Sequence, residues 1–141
     1  MPTPMQPSAT SYTAVVHSPP DTVDDAHDFL ETVWAQRPDI AAGERMAIET
    51  ALSELVTNVI RHNPQRAVLC EVTVTVEPGL LVLRTADTGA PLAGVPDLTM
   101  PDAHAEHGRG LALIELVADG LEYRQEDSRN IWLVRKLRAA G

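Results

Sequence analysis

Glu54 and Asn58 stand four residues apart, a spacing that puts a carboxylate and an amide on one face of a helix. A carboxylate there can orient or deprotonate a hydroxyl, and an amide oxygen can ligate a hard cation such as magnesium. The same pair also describes an ordinary solvated helix face. A second segment, Asp87-Thr88-Gly89-Ala90-Pro91, puts a carboxylate where a strand gives way to a loop. A carboxylate so placed accepts a hydrogen bond from an exocyclic amine such as adenine's, and Gly89 lets backbone approach a ring closely. An ordinary Asp-x-Gly turn has the same letters. A third segment, Glu106-His107-Gly108-Arg109-Gly110-Leu111, runs directly into helical spacing. Two glycines at a helix start expose N–H groups at the positive end of the helix dipole, which suits a phosphate. Arg109 adds a charge-assisted contact or points to solvent. A lone Gly-x-Gly is equally a flexible loop.

The elements that must position these residues follow from periodicity. Tyr12 to His17 reads as a short strand. Asp21 to Ala35 carries Val23, Ala26, Leu30 and Val33 at helical spacing, with Asp21 as its cap, and Arg37-Pro38-Asp39 breaks it. A second helix is expected from Ala41 to His62, ended by Asn63-Pro64, with Ile48, Leu52, Leu55, Val56, Val59 and Ile60 as its apolar stripe. Ala67 to Glu77 alternates: Val68, Cys70, Val72, Val74 and Val76 face one way and Glu71, Thr73, Thr75 and Glu77 the other. Pro78-Gly79 turns this strand into the next, Leu80 to Ala86. Asp87 to His107 reads as a long loop, with 90–107 as a lid. Gly108 to Asp119 is expected to be helical and to end at Gly120. Leu121 to Glu126 and Asn130 to Leu137 form a final hairpin. The order predicts an α/β (α+β) two-layer sandwich, with helices on one face of a mostly antiparallel mixed sheet.

Composition narrows the classes. The 141 residues suit one core, with residues 1–10 as a flexible tail and 11–141 as the domain. Twenty acidic against 11 basic side chains give a formal charge of −9, which argues against direct nucleic-acid binding. It also repels free nucleotide at long range, so a nucleotide site here must work by local donors and a metal. The charge serves solubility or selects a basic protein partner. No apolar run approaches the roughly 20 residues of a membrane span. The first residues lack a signal peptide's pattern. A single cysteine, Cys70, excludes an internal disulfide and fits the cytoplasm.

Together, in this order, the three segments resemble the histidine-kinase-like ATPase superfamily, whose ATP site is the Bergerat fold. Within it they look most like the small bacterial anti-sigma factor serine/threonine kinases. Ala51 to His62 is similar to that family's N-box, Asp87 to Pro91 to its adenine box, and His107 to Ile114 to its second glycine box. The resemblance spans roughly residues 11–138. It implies that Asn58 ligates magnesium bridging the ATP phosphates and that Glu54 acts as base or polarises the attacking hydroxyl. It implies that Asp87 meets the adenine amine with Gly89 beneath the ring. Gly108, Arg109, Gly110 and Leu111 would meet the phosphates. His62 either lines the pocket or caps the helix, and Asn130 can donate a hydrogen bond at the site's far end.

Two departures from the family pattern separate two functions. Many members carry a Gly-x-Thr in the last hairpin, where this chain has Ser128-Arg129-Asn130. Some active kinases carry a basic residue just before the second glycine box, where this chain has Glu106. The first function is an ATP- and magnesium-dependent kinase that phosphorylates a serine on an anti-anti-sigma protein, holds a sigma factor and forms a homodimer. The second is a nucleotide-dependent protein-binding regulator without transfer. Other residues get plainer readings: Trp34 and Trp132 as core or dimer-face anchors, Cys70 as a packed residue. His104 and His107, with Asp102 and Glu106, belong to an acidic loop rather than a metal site.

Overall fold

The computed structural model describes residues 9–90 and 105–139, with 105–109 described as backbone only. Among the described residues, five strands and three helices follow in the order β1 (Thr10–Ser18), α1 (Val23–Gln36), α2 (Ala42–Arg61), β2 (Val68–Glu77), β3 (Leu80–Asp87), α3 (Ala105–Val117), β4 (Gly120–Glu126) and β5 (Arg129–Leu137). The strands form one sheet in the order β1-β2-β3-β5-β4. Every pair in it is antiparallel, so the sheet is not mixed as the sequence suggested. All three helices pack on one face: α1 contacts β1, α2 contacts β2, β3 and β5, and α3 contacts β4, with α2 between the other two helices.

Alternation builds the sheet's two sides. Val68, Cys70, Val72, Val74 and Val76 are all buried beneath the helices, while the intervening residues are half-exposed. Leu81 and Leu83 continue the buried row on β3, and Val134 on β5. Leu30, Ile48, Leu52 and Ile114 press onto that row without exposure. Each side chain of this kind contributes on the order of 2 kcal/mol by leaving water.

Several boundaries move, each for a local reason. The cap of α1 is Thr22 rather than Asp21. Its hydroxyl accepts from the Asp24 N–H at 3.2 Å and Asp25 returns a bond to the Thr22 N–H at 2.7 Å, a reciprocal capping box. Asp21 instead accepts from the His17 N–H at 2.8 Å and steadies the β1–α1 turn. Helix α3 begins at Ala105 rather than at Gly108. Ala and Glu ahead of the glycines are strong helix formers, and they outweigh a cost of roughly 1 kcal/mol per helical glycine. At its other end α3 stops at Val117, and Gly120 opens β4. Most of the lid assigned to 90–107, together with Asp102 and His104, lies outside the described residues.

The β4–β5 hairpin closes through Asp127 and Ser128, which have φ of 51° and 65°. Two consecutive left-handed residues make the turn whose twist matches the flanking strands. It sets the register that brings Asn130 opposite Asp87.

Candidate functional site

The end of β3, the start of β5, the last turns of α2 and the second turn of α3 line an open cavity. Its apolar wall is Leu55, Val59, Leu111 and Trp132. Its polar residues are Asn58, His62, Asn63, Asp87 and Asn130, with Ala90 at the rim. A flat ring has an apolar surface to lie against here, and the polar groups are few and fixed, as in small-molecule sites generally.

Asp87 is the last residue of β3 and is only 3% exposed. Its Oδ1 accepts from the Gly89 N–H at 2.9 Å and from Asn130 Nδ2 at 3.0 Å. Among the described residues its Oδ2 accepts no hydrogen bond. Burial pushes the carboxyl above its ordinary value, and the bonds from Asn130 and Gly89 pull the other way. A buried carboxylate with one oxygen occupied and one unclaimed is a strong acceptor for a ligand donor, because leaving it unpaired is costly. Cys70 lies across the β2–β3 ladder from Asp87. Burial first, and then the nearby Asp87 charge, push its thiol up to about 12, so it stays a neutral packed group as expected.

The Thr88–Ala90 loop is held from four sides. Thr88 pairs with Leu69 through its own N–H and through its hydroxyl, both at 3.0 Å. Arg66 donates to the Thr88 carbonyl at 3.0 Å. Asn130 Nδ2 reaches the carbonyls of Gly89 and Ala90 at 3.3 and 3.1 Å. Asn63 accepts from the Ala90 N–H at 3.0 Å while donating to the Val59 carbonyl at 2.7 Å. Gly89 sits so tightly that a Cβ would lie 2.6 Å from Asn63 Nδ2 and 2.9 Å from Asp87 Oδ1. That is the close approach for which glycine is needed.

On α2, Asn58 faces the cavity and His62 lies one turn on, at the helix C-cap and on the cavity wall together. The two alternatives for His62 are therefore one position. Glu54, one turn earlier, is not part of the lining. Its Oε2 lies 2.7 Å from where a Gly110 Cβ would be, and Asn58 Nδ2 lies 3.5 Å from the same point. Gly110 is buried in the second turn of α3, where helical geometry commits its N–H to the helix; Gly108 remains among the first four, whose N–H groups have no helical partner. Gly110 thus serves close helix approach, and Leu111 beside it is apolar wall.

Leu55, Val59, Asn63 and Trp132 also line the cavity, although the sequence points to none of them as site residues. The sequence marks Asn63 only as a helix stop, although an Asn after a helix can bond the carbonyl four residues back. Trp132, expected as a core or dimer-face anchor, belongs to the core and also lines the cavity. In the stretch that stands in place of the Gly-x-Thr, the Asn130 amide nitrogen lies within hydrogen-bond distance of Asp87 Oδ1 and of the Gly89 and Ala90 carbonyls, which share its two hydrogens. Among the described residues no cluster of three or more His, Cys, Asp or Glu could hold a metal.

Residues 16–136 match the family described as histidine kinase-like ATPase domain. The chain belongs to that family. Among solved structures, this histidine kinase-like ATPase domain is similar to the Acinetobacter baumannii histidine kinase AdeS, at 16% identity and a TM-score of 0.50, covering 89% of this chain and 67% of that one. At that identity the likeness is one of fold. A comparison with curated proteins gives no match. Membership in the family carries ATP binding as its coarse functional statement, with phosphotransfer as the chemistry of its kinases. No helix among the described residues is long and apolar enough to cross a membrane.

Proposed function

We propose that the cavity binds ATP and that the protein is an anti-sigma regulator of the serine-kinase type. The observation that carries the nucleotide reading is Asp87, buried on the cavity wall with Oδ2 accepting no hydrogen bond among the described residues. In this reading Oδ2 accepts from the adenine amine, the ring lies over Gly89 and against Trp132 and Leu111, and the phosphates run toward Asn58 and the start of α3. Gly108, Arg109 and the N–H groups of that helix start would meet them.

Magnesium fits the donors available. Of the three asparagines lining the cavity, Asn63 and Asn130 have their amide oxygens engaged, which leaves that of Asn58 for a hard cation; with no carboxylate cluster among the described residues, such a cation would take its other ligands from phosphate and water. Bound in that way, it would offset charge on the transferring phosphoryl group. Glu54 would take the proton of an incoming serine hydroxyl as its oxygen bonds the γ-phosphorus and ADP leaves. The substrate serine would belong to an anti-anti-sigma protein, and the kinase, as a homodimer, would alternate between that antagonist and a sigma factor. What supports these finer roles is the motif resemblance and the acidic charge of −9, which selects basic partner surfaces. Residues 11–141 would be the working domain, in the cytoplasm.

Labelling with γ-labelled ATP and the cognate antagonist tests the kinase. Phosphoserine on the antagonist, lost in Glu54→Gln, is the expected result, and no label under saturating ATP overturns it. One observation favours a second reading, a nucleotide-dependent binder without transfer: Glu54 lies against Gly110 and off the cavity lining. That reading expects partner affinity to depend on a non-hydrolysable ATP analogue with no label transferred.

A further inference from the structure

Strand β4 contributes no residue to the cavity wall, yet it reaches the Asp87 carboxylate through two hydrogen bonds in series. The Tyr123 hydroxyl donates to Asn130 Oδ1 at 2.6 Å. Asn130 Nδ2 in turn donates to Asp87 Oδ1 at 3.0 Å and to the Ala90 and Gly89 carbonyls at 3.1 and 3.3 Å. An amide nitrogen has two hydrogens, and here three acceptors compete for them. How they are shared depends on where the amide sits, and Tyr123 holds its other end. The tyrosine is itself fixed. It stands directly across the β4–β5 ladder from Trp132, with ring centroids 4.6 Å apart. The hydroxyl therefore projects from a packed aromatic pair, diagonal to Asn130 on the same face. Donation into Oδ1 also polarises the amide and strengthens its N–H donation to the carboxylate.

We propose that Tyr123 is a positioning residue for base recognition: by holding the Asn130 amide on Asp87 Oδ1, it sets the preference for a 6-amino over a 6-oxo purine nucleotide. The inference rests on the reading of the cavity as a nucleotide site. The bonds from Asn130 and Gly89 to Oδ1 favour the charged form, in which Oδ2 is a pure acceptor. It then matches a 6-amino donor and repels a 6-oxo oxygen. When the amide drifts, the buried carboxyl loses a donor that favours its charged form, and burial already favours the neutral one. A neutral carboxyl can donate to a 6-oxo oxygen, so discrimination falls. Without the tyrosine hydroxyl, Oδ1 of an amide that is 5% exposed is also left to find water, which draws the side chain away from Asp87.

ATP and ITP affinities, measured by calorimetry on the full chain, test this. Wild type prefers ATP. Tyr123→Phe lowers the ATP-over-ITP preference about tenfold, the equivalent of one good hydrogen bond. Asn130→Ala lowers it at least as far, and the double variant loses nothing beyond Asn130→Ala, because the two act in one chain. A merely structural role for Tyr123 lowers both affinities together with the melting temperature and leaves the ratio unchanged; that outcome overturns the inference, as do additive losses. Should Tyr123→Phe not fold, 3-fluorotyrosine at position 123 keeps the shape with a more acidic, stronger donor. It raises the ATP preference, and an unchanged preference overturns the inference equally. Asp87→Asn in the same titration separates the two levels. If it retains wild-type ATP affinity, the nucleotide reading falls and the inference with it. If it abolishes ATP binding while Tyr123→Phe keeps the wild-type preference, the inference alone falls.

Discussion

Asn130 stands directly across the β3–β5 ladder from Asp87 and donates its amide N–H to Asp87 Oδ1 at 3.0 Å. The pair joins the two ends of the candidate site, which lie 43 residues apart in the chain. With Oδ1 taken in this way, Oδ2 is the oxygen that accepts no hydrogen bond among the described residues.

Asp87→Asn tests that oxygen. The new amide can keep its oxygen toward Gly89 and Asn130 and turn its NH₂ toward the cavity. A donor then faces the adenine amine, and ATP binding should be lost on calorimetric titration. Folding should respond in the opposite sense. A carboxyl whose folded-state value is raised contributes most stability at low pH and loses it as pH rises through that raised value. The asparagine has no such loss. Thermal melts should therefore show the variant gaining on wild type as pH rises from the acid range, and a gap that narrows with rising pH would contradict the burial argument.

ATP affinity itself should carry the same titration. The charged carboxylate is the form that accepts from the amine, so affinity should fall as the pH is lowered through the raised Asp87 value. In Asp87→Asn the residual affinity should be flat over that range.

Gly110→Ala separates fold from site. Alanine in a helix interior is favoured over glycine by about 1 kcal/mol. Its Cβ, however, would lie 2.7 Å from Glu54 Oε2, the far end of a flexible side chain that can move. The two effects nearly cancel in stability, so the melting temperature should change by only a few degrees. Glu54 must swing away, and any phosphoryl transfer should drop by tenfold or more. Equal transfer rates with equal melts would remove Glu54 from the chemistry.

Asn63→Ala releases the Ala90 N–H and the Val59 carbonyl at once. Leaving such groups without partners costs about 1–3 kcal/mol. A lower denaturation midpoint should accompany weaker ATP binding, because the loop that places Gly89 loses one of its clamps. Hydrogen exchange at Ala90 should report the same release directly.

The double substitution Asp127→Asn with Ser128→Gly is the control on the opposite side. Both positions have positive φ and are exposed, and Asn-Gly adopts that turn with less strain. Stability should rise by roughly 0.5–1 kcal/mol with nucleotide affinity unchanged. A change in affinity would mean that the turn register at Asn130 had shifted.

Much of the fold was legible because it rests on local periodicity. The Val68–Val76 alternation and the α2 stripe through Ile48, Leu52 and Leu55 are each set by neighbours a few residues apart, and all proved buried. The same holds for Glu54 and Asn58 sharing a helix face and for Asp87 closing a strand. Boundaries were less legible where two local signals competed. Asp21 and Thr22 each have a carboxylate three residues on, but the Asp21 carboxylate is taken by the His17 N–H, and Thr22 with Asp25 completes the box. Gly108 read as a helix start because the helical spacing of Leu111, Ile114 and Val117 begins after the glycines, whereas in the structure both glycines lie inside α3 and Gly110 packs close to the Glu54 carboxylate.

What the chain's letters determined by themselves was the set of elements, their faces and the three segments that could do chemistry. Tertiary structure alone decided which of those groups meet. The Asp87–Asn130 bond, the Asn63 clamp on Ala90, the Trp132 wall and the Tyr123 contact all join residues on different elements or across a hairpin. Their distances depend on the all-antiparallel strand order, the β4–β5 turn and the packing of α3 on α2. Periodicity says which way a side chain faces; only the closed sheet and the helices laid on it say what it faces.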